Sequence, residues 1–311
     1  MQEKSPSNKR RPSKDRLTGY AMVLTASALF GVNGNLSRLL FDGGVTPVTL
    51  VECRMLIGGI CLLLIMVAGW RGGLKLPRRT WGWMIAFGLS LAMVTYTYFV
   101  SISRLPIAIA LVIQFSAPAW MALGEAVWRR KLPSLYVIAA ILLTFGGIML
   151  LTGLWRQNFS GLDRLGLLFA CLSVLAFMAY LLLGRRVGRD LPSITATAYG
   201  ALIAGAFWLC VQPPWVIPTS TWAPHRLLLI FLVGIVGMAI PFSLTLGSLR
   251  RLDATRVGIA SMLELVSAGL IAYVWLGQSL DLLQITGGVL VMAGIISLQL
   301  EKPGVQVEPV D

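Results

Sequence analysis

Between Thr18 and Leu300 the chain is a succession of apolar stretches, each about twenty residues long, separated by short polar breaks. A helix needs about 20 mostly apolar residues to cross the hydrocarbon layer of a bilayer. The pattern therefore predicts ten spans, at 18–40, 47–69, 80–101, 106–127, 134–153, 163–183, 193–212, 226–247, 255–275 and 281–300. The longest break, Gln212 to His225, holds Pro213, Pro214, Pro218 and Pro224, which predicts an ordered non-helical crossing with no domain of its own. The expected fold class is an all-α polytopic membrane protein.

Composition agrees with this reading. The 311 residues are 57% hydrophobic and 13% charged, against about 25% charged in ordinary soluble domains, which argues against a soluble enzyme. Lys and Arg number 26 against 13 Asp and Glu, an excess that in a soluble chain would suggest nucleic acid. Here membrane topology accounts for it, because basic residues are retained on the cytoplasmic side. One set of alternate breaks holds Lys4, Lys9, Arg10, Arg11, Lys14 and Arg16, then Arg71, Lys75, Arg78 and Arg79, then Arg129, Arg130 and Lys131. The same set continues with Arg185, Arg186 and Arg189, then Arg250, Arg251 and Arg256, and last Lys302. The other set holds Arg104, Arg156, Arg164 and Arg226. The asymmetry predicts a multi-pass inner-membrane protein with both termini in the cytoplasm. Eight of the ten tryptophans fall at span boundaries, Trp120 and Trp208 being the two that do not, and interfacial Trp is what a membrane span prefers. Ala26-Ser27-Ala28 after the basic start also resembles a signal-peptide cleavage site, but cleavage there would leave nine spans and no internal symmetry.

That symmetry emerges when the chain is slid against itself by 147 residues: five spans superpose on five. Matches include Gly19 with Gly166, Arg38 with Arg185, Arg104-Leu105 with Arg251-Leu252, Trp128 with Trp275 and Gly147-Ile148 with Gly294-Ile295. Each repeat has an odd number of spans, so the two are expected to lie inverted in the membrane, as in many secondary transporters. The predicted organisation is a basic tail at 1–17, repeats at 18–153 and 154–300, and a cytoplasmic tail at 301–311.

Four stretches resemble the drug/metabolite transporter superfamily, EamA type. They are Leu29-Phe30-Gly31-Val32-Asn33, Pro47 with Glu52 and Arg54, Ala117-Pro118, and Glu264-Leu265-Val266. The resemblance covers residues 17 to about 300 and implies two five-helix repeats and export of a solute. The sequence departs from the pattern at Leu265, where the family usually has proline, and at Gly277-Gln278 and Arg130-Lys131, where a Gly-Glu pair is common.

An acid or base at a helix centre in the membrane costs about 2.5–3.5 kcal/mol on insertion scales, so each asks for a reason. Glu264, in the ninth span, is the candidate for proton coupling or for contact with a cationic part of a substrate; the alternative is a protonated or paired Glu that fixes helix packing. Arg38, Glu52 and Arg54 read as structural, with an Arg38 to Glu52 pair across spans, and Glu125 as the partner of Arg129 one turn on. Pro118 and Pro241 each break a helix and free the carbonyl four residues back, at Gln114 and Gly237. Freed backbone lies either against a cavity or at an ordinary kink. Asn33, Tyr96, Gln114, Ser116, Trp120, Tyr180, Ser243 and Ser261 are the candidate substrate-binding residues, with interhelical hydrogen bonding as the alternative for each. Tyr96 and Tyr98 face different ways, so at most one of the two is expected to line a path. The glycine pairs 58–59, 146–147 and 287–288 are expected to permit close helix contact.

Catalysis and cofactors find little support. The single histidine, His225, lies in a break, and Cys53, Cys61, Cys171 and Cys210 are not spaced for metal. No phosphate-binding loop is present, so ATP does not drive the protein by itself. The expected function is alternating-access secondary transport of a small organic metabolite, an amino acid or a related amphiphile, in the export direction, with no cofactor and no nucleic acid. A non-transporting scaffold or receptor, and an uptake carrier for another solute class, are the alternatives.

Overall fold

The structure, a computed structural model, describes residues 12–69, 71–105, 107–130, 132–156, 161–276 and 281–300. The basic residues before 12, the Gly277-Gln278 pair and the tail from 301 lie outside these, as do the side chains of Arg38 and Arg129. Among the described residues there are helices and turns and no strand. In chain order the α-helices are α1 (Pro12–Asp42), α2 (Pro47–Gly69), α3 (Trp81–Arg104), α4 (Ile107–Gln114), α5 (Ala117–Arg129), α6 (Leu135–Leu151) and α7 (Arg164–Asp190). They continue with α8 (Ser193–Val211), α9 (Pro224–Gly234), α10 (Ile240–Leu249), α11 (Ala254–Ser261), α12 (Leu263–Leu276) and α13 (Leu282–Leu300). A π-helical turn, Ile235–Ala239, joins α9 to α10.

Eight helical stretches are long and apolar enough to cross a bilayer, with Leu135–Leu151 and Leu282–Leu298 as shorter apolar helices. Both fall just below the length predicted for the fifth and tenth spans: the 17 residues of α6 rise about 26 Å, just under a hydrocarbon core of about 30 Å, and α13 has 19. They pack on each other. A Cβ on Gly147 would stand 2.6 Å from the Gly287 carbonyl oxygen, so the backbones touch where small residues allow it. Gly146 and Gly288 take no part in that approach: a Cβ on Gly146 would meet nothing within 4 Å, and one on Gly288 only ordinary contacts at 3.8–4.0 Å. Large apolar side chains such as Leu64, Val127, Leu142 and Val274 are exposed, a surface suited to lipid and costly in water. This is a multi-pass membrane protein.

Charge ends a membrane span without ending a helix. α1 begins well before Thr18, and α7 runs seven residues past the predicted end at 183, where Arg186 pairs with Asp190 one turn on at 2.7 Å. Ser134 caps α6 by accepting from the Val137 N–H, and Asp163 caps α7 by accepting from Leu165 and Gly166.

Two predicted spans are each broken into two helices. The fourth divides at Phe115-Ser116, so that Pro118 falls in the first turn of α5, where its missing N–H costs nothing. The ninth divides at Met262, which is where the 147-residue offset carries Phe115, although Leu265 stands there in place of proline. The chain turns with three-residue bonds, Met262 N–H to the Ile259 carbonyl and Leu265 N–H to that of Met262. Pro241 likewise falls in the first turn of α10, after the π turn.

The helices pair in a pattern that the same offset maps onto itself. α2 packs on α8 and α6 on α13; α1 packs on α10 and α12, and α7 on α3, α4 and α5. A Cβ on Gly19 would lie 2.9 Å from Leu252 Cγ, and one on Gly166 2.8 Å from Leu105 Cγ. Both residues of each contact belong to matches found in the sequence.

Candidate functional site

Helices from both halves of the chain surround one cavity of about 110 Å³. Its polar lining is Asn33 on α1, Arg54 on α2, Thr95 and Tyr98 on α3, Gln114 at the end of α4, Tyr180 on α7, Thr245 on α10, Ser261 at the end of α11 and Glu264 at the start of α12. Phe30, Phe99, Phe115, Phe177 and Phe242 supply the apolar wall. Drug-sized pockets run to about 300–1,000 Å³, so this space suits a small solute.

The breaks position the polar groups. Gln114 is the last residue of α4 and Ser261 the last of α11, each beside the turn that ends its helix. Glu264 sits in the first turn of α12, where free backbone N–H groups and the helix dipole favour a carboxylate. Arg54 is buried, 3% exposed, seven residues into α2. Its Nη2 donates to the carbonyl of Gly237 at 2.9 Å, inside the π turn. Its guanidinium carbon lies 5.8 Å from the Phe99 ring centre and 5.7 Å from that of Phe242, within the range of cation–π attraction. Arg54 and Glu264 are the charged residues of this lining. Among the described residues they do not meet in an ion pair.

The aromatic wall is itself packed. Phe30 meets Phe242 edge-on at 5.0 Å, Tyr180 meets Phe242 edge-on at 5.6 Å, and Phe177 stacks on Tyr180 at 6.4 Å. Thr95, Thr245 and Ser261 spend their hydroxyl protons on carbonyls one turn back, those of Leu91, Pro241 and Val257. Their oxygens therefore face the cavity as acceptors.

Of the residues singled out from the sequence, Asn33, Gln114, Tyr180, Ser261 and Glu264 come together here. The Asn33 Oδ1 is buried with no hydrogen-bond partner among the described residues. Tyr96 turns away, its ring 4.7 Å from Trp208 and 5.9 Å from Phe169; Tyr98 is the tyrosine on the cavity. Ser116 Oγ donates to the Ile113 carbonyl at 2.6 Å, within the break. Trp120 is 56% exposed on the outside of α5. Among the described residues Ser243 Oγ is buried off the cavity without a partner, and Glu52 is buried in neither cavity nor ion pair. Arg54 is the group that sequence reasoning left in a structural role. Its depth was the available signal: seven residues from Pro47 is about 10 Å along a helix, well inside the membrane.

The chain matches the EamA-like transporter family twice, over residues 17–153 and again over 164–299. It is 26% identical over 273 residues to the threonine/homoserine exporter RhtA of Salmonella typhimurium (strain SL1344), covering 85% of each chain. The RhtA of Escherichia coli (strain K12) gives 26% over 270 residues, again 85% of each. An uncharacterized inner membrane transporter of Salmonella typhimurium (strain LT2), YicL, is 23% identical over 294 residues, 91% of this chain and 96% of that one. A solved crystal structure superposes with a TM-score of 0.75 at 20% identity, over 92% of this chain and 96% of the other, a likeness of fold alone. With the family's sequence pattern filling both halves, this membrane protein belongs to the EamA-like transporter family.

Proposed function

We propose that this transporter exports a small amino acid across the inner membrane by alternating access, with residues 18–153 and 154–300 as two inverted five-helix repeats, ten spans in all, and both termini in the cytoplasm. The observation that carries the reading is the cavity between the two halves, small, aromatic-walled and holding a buried arginine and a glutamate from opposite repeats. Such a site at the interface of inverted repeats is where secondary transporters bind. The paired contacts of Gly19 with Leu252 and of Gly166 with Leu105 support the repeat, and the excess of Lys and Arg in alternate breaks supports the orientation. The RhtA relatives, named as threonine/homoserine exporters, support the amino-acid class and the direction. Asn33, Gln114, Tyr180 and Ser261 contact the solute, and Glu264 exchanges it for a proton.

Purified protein in liposomes tests this. Efflux of a preloaded amino acid, driven or accelerated by a proton gradient and lost in Glu264→Gln, is the expected result. A chain that moves no member of a broad amino-acid panel refutes the substrate class. Cysteine labelling that finds the two termini on opposite sides of the membrane refutes the inverted repeat.

A further inference from the structure

A guanidinium has five N–H donors, and Arg54 has one hydrogen-bond acceptor among the described residues, the Gly237 carbonyl. Its Nε is buried without a hydrogen-bond partner among the described residues. On the same cavity the Glu264 carboxylate closes no hydrogen bond and no ion pair among the described residues. A buried guanidinium and a half-buried carboxylate that line one cavity without contact are an expensive arrangement, unless something else completes both.

We infer that Arg54 and Glu264 are a clamp for a zwitterion, Arg54 taking the carboxylate and Glu264 the ammonium group of an α-amino acid with a small uncharged side chain. This deepens the amino-acid reading above and rests on it. Phe99 and Phe242 stand within cation–π range of the guanidinium, and its donors beyond the one given to Gly237 are left for a carboxylate. At the other end Ser261, three residues from Glu264, offers an acceptor, as an ammonium with three donors requires. The lining contains no third charge, so a side chain bearing one would enter an aromatic wall uncompensated, and a volume of about 110 Å³ excludes a large one. The net charge of clamp and zwitterion together is zero, so the loaded site crosses the membrane's low-dielectric interior without an unpaired ion.

The test uses the full chain in liposomes and compares a neutral amino acid with two analogues of it: the methyl ester, which lacks the carboxylate, and the 2-hydroxy acid, which lacks the ammonium. The wild type should prefer the amino acid to each analogue by at least about tenfold, as expected when a buried charge is left unpaired. Arg54→Gln should cut amino-acid flux by a much larger factor than ester flux, erasing the preference over the ester. Glu264→Gln should do the same for the hydroxy acid, and Arg54→Lys should restore part of what Arg54→Gln loses. If Arg54→Gln slows amino acid and ester by the same factor, the arginine is structural and the clamp is wrong, while the amino-acid reading stands. If the wild type moves no amino acid, the function reading fails and takes the clamp with it.

Discussion

Arg54 donates from Nη2 to the carbonyl of Gly237 at 2.9 Å, the carbonyl whose α-helical partner would be the N–H that Pro241 lacks. A residue on α2 thus satisfies a backbone group freed on the eighth predicted span, and the π turn at Ile235–Ala239 presents that group to it. π turns inside helices recur at functional sites, and here the acceptor touches the same guanidinium that faces the cavity.

The bond predicts a coupled stability effect. Arg54→Met should cost about 1–3 kcal/mol, the penalty for a buried acceptor left without a donor. Pro241→Ala supplies an N–H at position 241, so the same Arg54→Met change should cost less in that background. Denaturant unfolding of the four variants in mixed micelles measures the coupling, and strict additivity would show that Arg54 does not serve the freed carbonyl.

Gly237 admits Asn33. A Cβ at position 237 would stand 1.9 Å from Asn33 Oδ1 and 3.0 Å from its Cβ, so Gly237→Ala must displace the asparagine from the cavity wall. Overpacking of this kind costs about 1–3 kcal/mol. Flux should fall in Gly237→Ala, and Asn33→Ala should recover the stability in the double variant without recovering flux. Unchanged flux in Gly237→Ala would remove Asn33 from the transport path.

Gly147 and Gly287 are where α6 and α13 touch. A Cβ on Gly287 would lie 2.4 Å from the Leu151 nitrogen, backbone that cannot step aside. Gly287→Ala should lower the thermal midpoint in detergent, and Gly288→Ala, with its nearest contact at 3.8 Å, should leave it nearly unchanged. Equal midpoints for the two would contradict the close approach.

Asp163 caps α7 outside the membrane. The Arg104 side chain, bonded to it at 3.1 Å, holds its carboxyl below the ordinary value of 3.8, with help from the Leu165 and Gly166 N–H groups. A carboxylate favoured in the folded state contributes fully above its unfolded value and loses that contribution as pH falls through the folded one. The melting midpoint of Asp163→Asn should therefore lie below wild type near neutral pH, with the gap closing as the pH falls below the ordinary value of 3.8. A gap independent of pH would mean that the charge is not what the cap uses.

Tyr98 and Tyr96 separate cavity from packing. Tyr98→Ala should reduce flux at least severalfold with little loss of folded protein, because it opens the cavity wall. Tyr96→Phe keeps the ring against Trp208 and should leave flux near wild type. The reverse pattern would place the solute path on the other face of α3.

Apolar periodicity and charge determined a great deal without any structure: an all-helical membrane protein, helices close to their observed positions, and a carbonyl at Gly237 in need of a donor. These features are local, since hydropathy, proline chemistry and the cost of a buried charge are properties of a residue and its near neighbours. The helix break at Met262 escaped, because no proline marks it. The fold also decided that Arg54 meets Gly237 and faces Glu264, that Tyr98 and not Tyr96 reaches the cavity, and that Trp120 faces outward. Those are distances between residues far apart in the chain, and only the packing of helices from both halves brings them within reach.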